Sequence, residues 1–179
     1  YEILSKKILI NNGIKKGKIL DFEYTSKKIN DDIKELENDT DKVFKNISLV
    51  INEPEISCTN LSGFKKLNGS KVEKRDLEYI LNEAQISISQ NQKNNSILHI
   101  INSNFILDKI KKNKIPLDLY GDHLSLHMTF ISLPKNNLKN IKALFDSNDL
   151  KIDRIISKPL ACGINLLNQN KKNKNFFLI

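Results

Sequence analysis

The clearest pattern in the chain is a strict alternation of apolar and polar residues towards its middle. The apolar members are Leu124, Leu126, Met128 and Phe130, and the polar members are His123, Ser125, His127 and Thr129. Successive side chains of a strand point to opposite faces, so this period of two predicts a strand with one buried and one wet face. A denser apolar run at 97–107 predicts a more central strand. Pro116 and Gly121 between the two runs favour a loop or a short extra strand.

Helical periods flank this pair of strands. We expect a helix capped by Thr25 or Ser26, a second from about Glu73 to Ser89, a third begun by Pro134 and a fourth opened by Pro159. Apolar and β-branched runs predict further strands at 1–10, 43–51, 150–157 and 176–179. An extended path at 56–59 precedes a predicted hairpin or bulged edge at 61–67, and Gly13 and Gly17 bracket a turn.

The order of these elements predicts an α/β fold with an α+β insertion. The insertion separates two strands, Lys45 to Val50 and Leu150 to Ile156, which we expect to lie in one sheet. A small strand-helix-strand-strand unit lies between them in the chain.

Composition and charge exclude some classes of protein. The 179 residues contain 39% hydrophobic residues, enough for a core, and no apolar run is long enough for a transmembrane helix. The net charge of +8 invites a nucleic-acid interpretation, but the lysines are scattered in pairs, and the chain has neither a GxxG clamp nor paired aromatics on one strand face. We therefore expect no nucleic-acid binding.

No constellation of residues indicates catalysis. His123 and His127 would lie about 13 Å apart on a strand, too far to share a metal ion. His99 has no nucleophile with an orienting acid near it, and GIKKG is neither a dinucleotide fingerprint nor a phosphate loop. Cys58 and Cys162 are far apart and lack CxxC spacing, so the pattern indicates neither a zinc site nor a disulfide framework. Carboxylates at Asp31, Asp32 and Glu35 fit a solvated helix face.

Six segments in collinear order resemble the FtsA family of bacterial cell-division proteins. They are NGIKKGKILDF (12–22), ISLVINEPEISCTNLSG (47–63), VEKRDLEYILNEA (72–84), ILHIINSNFILD (97–108), PLDLYGDHLSLHMTFIS (116–132) and KIDRIISKPLACGINLL (151–167). Each motif alone is loose, and the order and spacing carry the resemblance. It implies a partial actin-like (ribonuclease H-like) 1A subdomain, residues 1–52 and 134–179, interrupted at 53–133 by a strand-helix-strand-strand subdomain called SHS2 or 1C.

The resemblance also implies a function. Members of the family bind ATP with Mg in the intact protein, anchor the FtsZ ring at the cytoplasmic face of the inner membrane at the division site, and recruit later division proteins. The family's phosphate loops, its FtsZ-binding surface and its amphipathic membrane helix would lie outside these residues. We therefore expect a non-enzymatic piece that holds no cofactor or metal and works through contacts with other copies and with late division proteins.

Seven residues are the candidates for partner contacts in the 1C subdomain, because they occupy its predicted wet face or the start of its helix. They are Lys71, Arg75, Asp122, His123, Ser125, His127 and Thr129. An exposed strand edge would offer a further surface for adding another chain. Two alternatives stay open: an actin-like pilus-assembly protein of the PilM type and a small nucleic-acid-binding module.

Overall fold

A computed structural model describes residues 3–169 of the chain. The chain divides into two compact units. The first combines Tyr1–Glu55 with Asn136–Ile179, and the second is the continuous segment Ile56–Lys135. The prediction of a body interrupted by a separate insertion is confirmed at the level of fold class, whereas the limits of 52/53 and 133/134 stay a prediction.

The first unit is built on a parallel pair of strands. Strand β3 (Asn46–Ile51) pairs with β8 (Lys151–Ser157), from Asn46 opposite Lys151 to Ile51 opposite Ser157. The two strands are far apart in sequence, yet they belong to one sheet as the sequence predicted. A small hairpin comes first in this unit, β1 (Ile14–Lys15) with β2 (Lys18–Ile19).

Three helices complete the first unit. They are α1 (Phe22–Thr40), α3 (Lys135–Asp146) and α4 (Lys158–Gln169). The predicted cap of α1 was wrong: the Asp21 side chain accepts a hydrogen bond from Tyr24 N at 2.9 Å and begins the helix four residues earlier than Thr25. Thr25 is instead fully buried within the helix, and its hydroxyl donates to the Asp21 carbonyl.

The predicted N-terminal strand is also wrong. Residues 3–11 form no regular structure, and Ile3, Ile8 and Ile10 are at least 80% exposed. A strand is stable only when a neighbour takes up its backbone hydrogen bonds, and no strand of the described chain pairs with this segment. The strand predicted at 176–179 lies outside the described residues.

The second unit is a four-stranded antiparallel sheet with one helix. Its elements are β4 (Ser57–Lys66), α2 (Lys74–Asn91), β5 (Asn95–Leu107), β6 (Ile110–Lys112) and β7 (His123–Pro134). The strand order is β4-β7-β5-β6, so β5 and β7 are both internal. The short extra strand expected between the two central strands is β6.

The core of this unit lies between the sheet and α2. The alternation along β7 is confirmed, because Leu124, Leu126, Met128 and Phe130 are at most 4% exposed. Ile80 and Ala84 of α2 are also buried and belong to the same cluster. The period of two in the sequence therefore identified the buried side of the sheet.

The irregularities of the sheet lie in a strand other than the predicted one. β4 is continuous over ten residues, so the hairpin or bulged edge predicted at 61–67 was wrong. Its register with β7 runs without a shift, whereas β5 has register shifts between Ile97 and His99 and between Asn102 and Asn104. The second shift accommodates the polar stretch of β5 and returns Phe105 to the core side, opposite Leu126.

None of the described helices is both long enough and apolar enough to span a membrane.

Candidate functional site

The face of the sheet turned away from α2 is the candidate site, and we call it the open face. Residues directly opposite each other in an antiparallel pair share a face, so the register assigns its members. They are Cys58, Asn60, Ser62, Phe64 and Lys66 of β4, His123, Ser125, His127, Thr129 and Ile131 of β7, His99, Ile101, Asn104 and Ile106 of β5, and Lys111 of β6.

Four of the seven predicted contact residues lie together on the open face. His123, Ser125, His127 and Thr129 follow one another along β7, with His123 exposed and the other three half-buried. Asp122 directly precedes the strand and is exposed. The predicted wet face of β7 is therefore one continuous row of polar side chains in the structure.

The other two predicted residues lie elsewhere. Lys71 forms an isolated bridge with Tyr120, and its ammonium group lies 2.9 Å from the Asp118 carboxylate. Arg75 is in the first turn of α2, on the opposite side of the sheet, and pairs with Glu73 at 2.7 Å. The structure therefore does not bring these two cations together with the polar row of β7.

Backbone contacts fix the end of the row that carries His123. Asp108 lies in the two-residue turn between β5 and β6, and its carboxylate accepts hydrogen bonds from Asp122 N at 2.9 Å and His123 N at 2.8 Å. Asp108 and Lys109 both have positive φ, the conformation that tight hairpin turns require. This turn therefore holds the start of β7 against the end of β5.

The charge of the open face has one sign. None of its assigned positions is Asp or Glu, and its ionisable residues other than the cysteine are Lys66, Lys111 and the three histidines. Burial lowers the pKa of His99, so this imidazole is held in its neutral form more firmly than an exposed one. The face thus favours partners that are neutral or acidic.

Sequence reasoning missed the contribution of β4 to this face. Phe64 is 66% exposed and lies opposite Ser125, and Asn60 accepts a hydrogen bond from the Thr129 hydroxyl at 2.7 Å. The signal was present as alternation from Cys58 to Lys66, but Gly63 suggested a turn. Reading the segment as a continuous strand would have placed Phe64 beside the predicted row.

The arrangement shows no catalytic or metal-binding geometry. His123 and His127 are on one strand, four residues and about 13 Å apart, so they cannot chelate one ion. Among the described residues, no group of three or more His, Cys, Asp or Glu side chains is placed to hold a metal. The open face is a surface of polar side chains with one exposed phenylalanine.

Comparison with known proteins gives this surface a context. Residues 54–132 match the family model described as the SHS2 domain inserted in FtsA. The chain is 26% identical over 170 residues to the cell division protein FtsA of Buchnera aphidicola subsp. Acyrthosiphon pisum, covering 95% of this chain and 40% of that protein. It is 21% identical over 180 residues to FtsA of Borreliella burgdorferi, covering 99% of this chain and 43% of that protein.

A solved structure supports the same architecture. The PilM-PilN type IV pilus biogenesis complex contains a chain that matches with a TM-score of 0.55 and 7% sequence identity, over 91% of this chain and 42% of that one. At this identity the likeness concerns the fold alone. The chain thus has a partial actin-like fold interrupted by an SHS2 domain.

The sequence matches then identify which proteins of that class it is related to. The chain is similar to FtsA cell-division proteins over 95–99% of its length, and residues 54–132 match the SHS2 domain of that family. It spans about 40% of the length of the curated relatives that it matches.

Proposed function

We propose that the protein to which this chain belongs is a cell-division scaffold that anchors the FtsZ ring at the cytoplasmic face of the inner membrane. The SHS2 unit serves self-association and recruits later division proteins. ATP with Mg, FtsZ and the membrane are bound by parts of the protein outside these residues. The observation that carries the role of the SHS2 unit is the open face, a polar row without carboxylates around an exposed phenylalanine.

The open face suits reversible adhesion better than permanent burial. Phe64 supplies an exposed aromatic anchor, and Ser125, His127 and Thr129 supply hydrogen-bonding groups around it. Aromatic residues with a polar rim are typical of interfaces that form and separate. We therefore place the contact surface on β4 and β7 and leave Lys71 and Arg75 outside it.

The test is a pair of substitutions that add the same charge at two exposed or half-exposed serines of the SHS2 unit. Ser125→Glu places a carboxylate in the middle of the open face, whereas Ser70→Glu places it in the turn after β4. Both are introduced into the intact protein, and self-association and division-protein recruitment are measured by bacterial two-hybrid assay and by septum formation.

We expect Ser125→Glu to lower association and septation and Ser70→Glu to leave both near the parent level. Far-UV circular dichroism and the melting temperature of both variants provide the folding control. Equal association by Ser125→Glu and the parent, with both folded, would contradict the assignment of the open face.

Two other functions have less support. A pilus-assembly protein of the PilM type is supported by similarity of fold alone, because the sequence identity to the matching chain of the PilM-PilN complex is 7%. A nucleic-acid role would be favoured by paired Phe, Tyr or Trp side chains for stacking, and Phe64 is the single residue of these three types on the open face of the described sheet, beside three histidines. A gel shift with single-stranded RNA at low salt tests this, and we expect none.

We also propose that this chain by itself turns over no substrate and binds no ATP. A nucleotide-binding titration of the chain beside the intact protein tests both statements.

A further inference from the structure

The outer edge of β4 is not paired with any described strand. β4 is the first strand in the order β4-β7-β5-β6, and no strand of the described chain pairs with its other side. An edge of this kind presents alternate N–H and C=O groups to any extended chain that approaches it. Sheets of this kind bind peptides by adding one more strand.

Helix α2 lies directly over this edge strand. Gln92 donates to the Thr59 hydroxyl at 2.7 Å near one end of β4, and the Lys65 ammonium group lies 2.7 Å from Asp76 at the other. Between them, a Cβ on Gly63 would come within 2.5 Å of Ile80 Cγ2. The helix therefore packs over β4 as well as over the core positions of β7, and it forms a wall beside the outer edge.

A groove of about 500 Å³ runs between this wall and β4. Tyr79, Glu83 and Ser87 of α2 line it, and they are spaced four residues apart along one ridge of the helix. That spacing is about 6 Å along a helix, close to the roughly 6.7 Å between alternate side chains of a strand. An added strand would therefore place successive helix-facing side chains opposite successive members of this ridge.

A bare extended segment fits the groove better than β4 of a second copy paired antiparallel. The twofold axis of such a pair is perpendicular to the sheet, so both copies of α2 would lie on the same side, over strands about 4.8 Å apart. Packed helices need about 8–10 Å between their axes. A second copy would therefore bring its α2 against the first and take up the groove, whereas a bare extended segment leaves the groove free for its side chains.

The charges of the groove indicate what this segment carries. Lys65 is already neutralised by Asp76, and its ammonium group also lies 5.1 Å from the centre of the Tyr79 ring. Glu83 is exposed and forms no ion pair within the part of the chain that the structure describes. Lys66 also lines the groove, on the open-face side of β4, so the helix side alone offers an uncompensated carboxylate, next to a half-exposed aromatic ring.

We propose that this groove binds an extended segment of a partner protein as a fifth strand beside β4. The segment carries a lysine or arginine opposite Glu83 and an apolar residue at the neighbouring helix-facing position, against Tyr79. The proposal rests on the proposed function only in treating the SHS2 unit as a docking module; the groove lies along the edge and helix side of β4 and meets the open face at Ser62, Phe64 and Lys66.

The probe is a fluorescein-labelled peptide of about nine residues, a length that spans β4 at about 3.3 Å per residue. In this peptide, threonines alternate with the residues meant to face the helix, which are valine, isoleucine and one central lysine. Fluorescence anisotropy with the full 179-residue chain measures affinity, and amide hydrogen exchange locates the bound peptide. A second peptide has glutamate in place of the lysine, and a third has proline in place of two threonines, which removes backbone donors.

The matched variants are Glu83→Lys in the groove and Glu78→Lys, an exposed residue of the same helix that lies outside the groove. We expect the lysine peptide to bind and to slow exchange in β4. Glu83→Lys should weaken it about tenfold, or about 1.4 kcal/mol, and should bind the glutamate peptide better, whereas Glu78→Lys should behave like the parent. The proline peptide should not bind.

Three results would overturn the proposal: a dissociation constant above about 1 mM for the lysine peptide, equal weakening by both variants, or slowed exchange in β6 instead of β4. Because the open face is not altered in this experiment, these failures would leave the result of the Ser125→Glu test unaffected.

Discussion

Gly63 is the position at which the packing of the SHS2 unit can be tested most directly. It lies in the middle of β4, where a side chain would normally favour the strand. A Cβ built there would lie 2.5 Å from Ile80 Cγ2, 3.3 Å from Met128 Cε and 3.5 Å from the Ile80 carbonyl oxygen. Carbon atoms in contact normally lie about 3.5–4.0 Å apart, so Gly63→Ala forces a displacement of about 1 Å.

The neighbours cannot move aside without cost. Ile80 is 1% exposed and Met128 is 2% exposed, so both are held by the core. Overpacking of this kind costs about 1–3 kcal/mol. Replacing glycine also lowers the conformational entropy of the unfolded chain, which by itself raises the free energy of unfolding by about 0.4–1 kcal/mol. We therefore expect Gly63→Ala to lower the free energy of unfolding by about 1–2 kcal/mol.

Gly163 provides a control of opposite sign. It lies within α4, and a Cβ there meets no heavy atom within 4 Å. Alanine stabilises a helix interior by about 0.5–1 kcal/mol relative to glycine. Urea unfolding followed by circular dichroism measures both variants, with amide exchange in β4 to report on the SHS2 unit separately. Unchanged or increased stability of Gly63→Ala would refute the close approach of α2 to β4.

Three further predictions concern charge and turn geometry. Burial alone would raise the pKa of Asp76, but hydrogen bonds from Lys65 and from the Glu73 backbone outweigh it and hold the pKa below its usual value. Asp76 therefore stabilises the fold above the pH at which it titrates when unfolded, and this contribution is lost as the pH falls. Asp76→Asn should cost about 1.5–3 kcal/mol at pH 7 and flatten the acid limb of a stability–pH curve, which urea titrations at several pH values would show; a limb unchanged from the parent contradicts this. For Glu53, burial and then the neighbouring Glu55 raise the pKa, so its ionisation destabilises the fold as the pH rises through that shifted range. Glu53→Gln should become more stable relative to the parent from pH 4 to pH 7 in the same titrations, and a constant difference would be evidence against it. Lys109→Gly relieves a φ of +69° in the β5–β6 turn and should raise stability by about 1 kcal/mol, measured by thermal unfolding; a lower melting temperature would exclude the assigned turn.

The sequence alone determined the order of elements and the two sides of the central strand. Burial of apolar side chains requires them at every second position of a half-exposed strand, so the alternation at 123–130 identified both the core residues and the polar row. The order of strands and helices also indicated an interrupted α/β body, and β3 and β8 pair as that order required.

Tertiary structure decided which of the remaining features formed. Gly63 resembles a turn residue in the sequence, but in the fold it is the place where α2 approaches β4, a contact between segments that local pattern does not contain. The apolar segment at 3–10 has the composition of a strand, yet a strand needs a partner edge, and none of the described strands supplies one. The groove between Glu83 and β4 exists for the same reason: it depends on where the helix lies across the sheet, which is set by packing between residues distant in the chain.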